Sequence, residues 1–98
     1  MKIYESCTGN IYITENRYNP GRCSICGDTD EYLGSYRKGD IQSIGETLVN
    51  LMLEYDFRYM KEIYKEICAT EGITEKQKKG INNAIEQNFR KKIDVIFG

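Results

Sequence analysis

Gly39-Asp40-Ile41-Gln42-Ser43-Ile44-Gly45-Glu46 is where this 98-residue chain changes character. Before it lie short β-type segments and turn residues, including the only proline, in Asn16-Arg17-Tyr18-Asn19-Pro20-Gly21. After it proline disappears and apolar residues recur at helical spacing. The stretch offers two helix starts. Asp40 can serve as N-cap, or Ser43 and Glu46 can form a capping box in which each side chain serves the other's backbone N–H. The chain therefore reads as one α+β domain over 1–98, with a β-rich lobe at 1–39 and a helical lobe at 40–98.

Downstream, the first helix is expected to end near Gly72. Ile41, Ile44, Leu48, Leu51, Met52 and Tyr55 form one stripe. Phe57, Met60, Ile63, Tyr64, Ile67 and Cys68 centre on a face turned by roughly 60°, and Asp56 interrupts the apolar arc. The helix is thus expected to bend near Asp56, or its halves to pack on different partners. Val49, Leu53 and Phe57 widen its apolar surface beyond one face, to be covered by the β lobe, a second copy or a foreign protein. Thr74 and Gln77 make a capping box for a last helix running to about Phe97, with Ile81, Ile85, Phe89, Ile93 and Phe97 spaced four apart and Ala84 and Ile96 beside them. Two such helices, joined by Ala69-Thr70-Glu71-Gly72-Ile73, predict an antiparallel two-helix hairpin.

Upstream, strands are expected at Ile3 to Cys7, Ile11 to Thr14 and Tyr32 to Tyr36, a β-hairpin plus a third strand. Between the second and third lies Cys23-Ser24-Ile25-Cys26-Gly27. The two-residue spacer lets both thiolates face one ion, and Gly27 permits the tight turn because it tolerates positive φ. This is the pattern of a zinc knuckle. A structural Zn2+ takes four ligands, so the pair is completed by Cys7 and Cys68, by a carboxylate such as Asp28 or Asp30, or by a second chain. Cys7 sits where the first hairpin's tip can fold over the knuckle. Cys68 lies on the long helix, on the order of 40 Å from the start of that helix if it is straight and closer if it breaks near Asp56. The chain has four cysteines and no histidine, so Cys7, Cys23, Cys26 and Cys68 together would bind through thiolates alone.

A redox role for the C-x-x-C pair fits less well. Thioredoxin-type motifs open a helix within a βαβ pattern, whereas this one runs into the turn-like Gly27-Asp28-Thr29-Asp30 and then a strand. Met-Lys-Ile-Tyr-Glu carries no apolar export segment, which points to a cytoplasmic protein with reduced thiols. No apolar run is long enough for a membrane span. At this size the core is modest, and a structural metal is a common staple.

Fourteen basic and fifteen acidic residues give no global field for nucleic acid. From Thr74 onward there are six basic and three acidic residues, so the last helix could touch phosphates. Asp28, Asp30 and Glu31 form an opposite, acidic patch suited to a basic protein groove. Eight tyrosines add interface-type residues. Without histidine, and with the thiols committed to metal, catalysis has no obvious general base or nucleophile, so the chain is not expected to be an enzyme.

In size, in cysteine usage at Cys7, Cys23, Cys26 and Cys68, and in its tyrosine-, lysine- and glutamate-rich profile, the chain resembles zinc-containing anti-CRISPR proteins of phages and mobile elements that act on the type II RNA-guided nuclease. That resemblance implies a zinc-stapled inhibitor, monomer or dimer, that binds the larger nuclease and prevents target DNA from being loaded or cut. Candidate contacts are Asp28, Asp30, Glu31, Tyr32 and Tyr36 on the zinc lobe and Glu54 and Asp56 on the first helix. The alternative is a zinc-ribbon-like regulator that lays its basic last helix on nucleic acid.

Overall fold

In a computed structural model of the chain, the described residues are 1–15, 27, 29–55 and 58–97. Strands β1 (Lys2–Glu5), β2 (Ile11–Thr14) and β3 (Glu31–Ser35) precede helices α1 (Ile41–Glu54), α2 (Arg58–Glu71) and α3 (Glu75–Phe97). The expected α+β architecture, a three-stranded sheet followed by helices, is present.

The sheet is antiparallel in the order β2-β1-β3, so the first strand is the central one. Ile3 faces Ile13 across one ladder and Gly34 across the other, while Tyr4 lies between Tyr12 and Tyr32. Alternation then sorts the residues. Ile3 and Leu33 join the helical core, with Ile11 and Ile13 packed against it. The tyrosines gather on the opposite side, Tyr4 stacked on Tyr12 at 5.6 Å and edge-to-face with Tyr32 at 5.7 Å between ring centres. The β1–β2 turn closes through Gly9, which adopts φ +84° and donates its N–H to the Ser6 carbonyl at 2.9 Å.

Of the two possible helix starts, Asp40 is the one used. Its carboxylate accepts the N–H groups of Gln42 and Ser43 at 3.0 and 3.2 Å. Ser43 is occupied elsewhere: its buried hydroxyl accepts the Arg37 N–H at 2.9 Å. One turn later the Thr47 hydroxyl donates to the Ser35 carbonyl at 2.6 Å, so α1 is tied by two side chains to the exit of β3.

The long helix expected from 40 to 72 is two helices, α1 ending at Glu54 and α2 starting at Arg58, which places the break where the apolar stripe rotates. From there α2 doubles back. Its last residue, Glu71, accepts the Tyr36 hydroxyl and the Gly39 N–H, each at 3.1 Å, beside the start of α1. Gly72, at φ +61°, stops α2, and the Ile73 N–H donates to the Cys68 carbonyl at 3.2 Å in a Schellman closure. Thr74 and Gln77 then cap α3 reciprocally, as their spacing predicts.

The helices turn back on one another as expected, but α3 takes most of its contacts from α1 and not from its sequence neighbour α2. Gly80 lies over Ile41, Gly45 meets Ala84, and Asn50 meets Lys92, so α1 and α3 run side by side in the same direction. Small residues allow this. A Cβ built on Gly45 would stand 2.8 Å from the Ala84 Cβ. Ile44, Leu48, Ile63, Ile67 and Ile81, none more than 1% exposed, fill the space beneath the sheet.

Candidate metal centre and acidic rim

Cys7 follows β1 in the turn that leads to β2, and it is exposed. The β1–β3 ladder pairs Glu5 with Glu31, which brings the chain entering β3 alongside the chain leaving β1. As a result Cys7 and Thr29 line the same open depression, together with Glu5, Glu31 and Tyr59. Gly27 has φ +73°, the left-handed conformation that a knuckle glycine requires. Cys23, Cys26 and Asp28 lie outside the described residues, as does Asp56.

Cys68 lies elsewhere. It is half-buried near the end of α2, in a groove with Tyr64, Lys65, Ile73 and Lys78. Burial of the Tyr64 ring, and next the Cys68 sulfur beside it, push that phenol above the ordinary tyrosine range. This groove shares no residue with the depression around Cys7. Tyr59, which borders that depression, precedes Cys68 by about 13 Å of helix rise. Among the described residues no group of three or more cysteine and acidic side chains is gathered to hold a metal ion. The break near Asp56 does return α2 to the sheet, where it packs on β2.

Three carboxylates from three elements meet near Tyr55, the residue that ends α1. Its phenol is raised by burial first, then by Glu54, Glu31 and Glu5 in that order. Glu31 and Glu54 are exposed, and Tyr32, the next residue along β3, is 51% exposed on the tyrosine side of the sheet. This rim unites two of the expected contacts, Glu31 and Glu54, that are far apart in sequence, and adds Glu5, which sequence reasoning missed. Only the strand order could have revealed Glu5, because its neighbour Glu31 belongs to a strand paired across β1 and not to the adjacent hairpin partner.

Two of the other expected contacts serve different purposes. Asp30 accepts the Tyr12 hydroxyl, which fixes the entry to β3 on the tyrosine side of the sheet. Tyr36 is 4% exposed, with its hydroxyl donated to Glu71, so it is a core residue and leaves the set of partner contacts.

Three basic residues of the last helix are engaged within their own chain, two of them in ion pairs. Lys78 pairs with Glu75 at 3.1 Å, Arg90 pairs with Glu86 at 2.9 Å, and Lys92 donates to Asn50. No described helix is long and apolar enough to cross a membrane. No protein-family model matches the chain, and neither does any curated protein or solved structure.

Proposed function

We propose that this chain is a small zinc-stapled inhibitor that binds a larger protein, a type II RNA-guided nuclease, and blocks the loading or cutting of target DNA. The observation that carries this reading is the pairing of Glu5 with Glu31 at the end of the β1–β3 ladder, with Glu54 at the end of α1 acting on the same Tyr55 phenol. A nuclease of this class holds its heteroduplex in a positively charged channel. Carboxylates clustered on a rigid sheet end match such a channel electrostatically, and an exposed tyrosine supplies apolar contact area with a polar tip. Inhibition on this reading is steric and electrostatic, with no chemistry at the inhibitor.

Zn2+ in this proposal is structural, holding the β lobe in shape through a closed set of four ligands. The residues to hold it are Cys7, Cys23 and Cys26, and the register that sets Cys7 beside Thr29 supports their convergence. The remaining position is left to Cys68 or to a carboxylate such as Asp28.

The test is a cleavage assay with purified nuclease, guide RNA and target DNA. Wild-type chain is expected to suppress cleavage and to co-elute with the nuclease, while Glu31→Lys combined with Glu54→Lys keeps the circular dichroism of wild type but no longer inhibits. Elemental analysis should find zinc in the wild type and little in Cys23→Ser, with loss of folding in the latter. A wild type that neither binds nor inhibits the nuclease, but retards duplex DNA in a salt-dependent manner, would instead establish the nucleic-acid-binding alternative.

A further inference from the structure

We propose that the groove between α2 and the start of α3 binds an acidic peptide segment in extended form, with carboxylates on alternate residues. The groove, of about 490 Å³, runs along Lys61, Lys65 and Ala69 of α2 and is bounded by Ile73 and by Lys78 in the first turn of α3. Its lining carries one sign of charge: three lysines and, among the described residues, no carboxylate. In a chain with fourteen basic and fifteen acidic residues, composition alone does not produce that segregation. Lys61 and Lys65 are exposed and, among the described residues, enter no ion pair, while Lys78 pairs with the exposed Glu75 at 3.1 Å. Tyr64, Ala69 and Ile73 supply apolar wall, and charges of one sign beside low-dielectric walls focus their field on an anion.

Spacing and surroundings select the anion. Lys61 and Lys65 stand one turn apart on the same helix, about 6 Å of rise. Alternate residues of an extended peptide point to one side at about 6–7 Å, so two carboxylates in the pattern acid-x-acid meet both ammonium groups. Ala69 is one turn further along α2, with Ile73 bounding the same groove, so the next residue on that side of the peptide suits an apolar side chain. A nucleic-acid strand is the poorer occupant, because its charge recurs along the whole backbone. Glu62 and Glu66, one residue past each lysine, line the adjoining depression beside the β1–β2 turn, and a phosphate chain leaving the groove on that side meets like charge. A peptide carries its charges only where the lysines are.

The inference is independent of the inhibitor reading, whose acidic rim shares no residue with this groove. It is tested by fluorescence anisotropy of the full chain with a short labelled peptide that has glutamates on alternate residues and a leucine two positions after the last. Wild type should bind this peptide, less tightly as salt is raised. Lys61→Glu combined with Lys65→Glu should weaken binding by about tenfold with an unchanged circular dichroism spectrum, because both side chains are exposed. Lys76→Glu combined with Lys79→Glu makes the same change of net charge at exposed positions outside the groove and should bind like wild type. A peptide of equal composition with its glutamates adjacent should bind less well than the alternating one. No binding by wild type, equal losses in the two double variants, no preference for alternating glutamates, or tighter binding of a labelled oligothymidylate of equal charge would each overturn the proposal.

Discussion

Tyr36 and Glu71 hold the start of α1 from behind, one at the exit of β3 and the other at the end of α2. Burial and the neighbouring Glu71 raise the Tyr36 phenol well above the ordinary tyrosine value. In the unfolded chain the same group ionises near pH 10. The folded state thus binds this proton more tightly, and its contribution is complete below that pH and is lost as pH rises beyond it. Stability measured by urea unfolding should fall on the alkaline side in wild type, and less so in Tyr36→Phe. At neutral pH Tyr36→Phe should cost about 1 kcal/mol, the ordinary net value of one hydrogen bond. Tyr36 was legible only as an aromatic at a strand end, because the residue that takes its hydroxyl comes from a distant part of the chain. Cys7 was easier to place, because the turn residues Thr8-Gly9-Asn10 that follow it put it just beyond a strand end.

Helix boundaries were the most readable elements, since capping is local chemistry. Asp40→Ala should lower stability by about 0.5–2 kcal/mol in thermal or chemical melts, as loss of an N-cap does. Which of the two candidate caps would win was not legible, because it depends on Ser43 being drawn away by the Arg37 N–H. The division of the long helix could be foreseen from the rotation of its apolar stripe at Asp56. The α1–α3 crossing could not, for Gly45 means nothing until Ala84 lies opposite it. Gly45→Ala forces a Cβ into that contact, and overpacking of about 1–3 kcal/mol should outweigh the helix-propensity gain of about 1 kcal/mol. Melts of the double variant Gly45→Ala, Ala84→Gly should show less destabilisation than the sum of the two single changes.

Across the whole molecule, Ile3 from the sheet and Ile44, Leu48, Ile63 and Ile67 from two helices share one core. Sheet and helices should accordingly unfold together. Ile3→Ala is expected to cost about 2–5 kcal/mol, and its midpoint read by helical circular dichroism should coincide with that read by tyrosine fluorescence. The α+β class and the order of its parts followed from where proline and alternating apolar residues give way to helical spacing. The placement of β1 at the centre of the sheet, and of α3 alongside α1, did not, because both depend on contacts between segments that local pattern cannot connect. That central placement bears on how the chain comes off the ribosome. The strand made first waits with one flank bare while the residues between β2 and β3 are translated, and a lone two-stranded ribbon is barely stable in water. The nascent amino-terminal part is therefore committed to its final form only when β3 and the first turns of α1 have emerged, which makes their arrival the step that protects an open strand edge from pairing with a stranger.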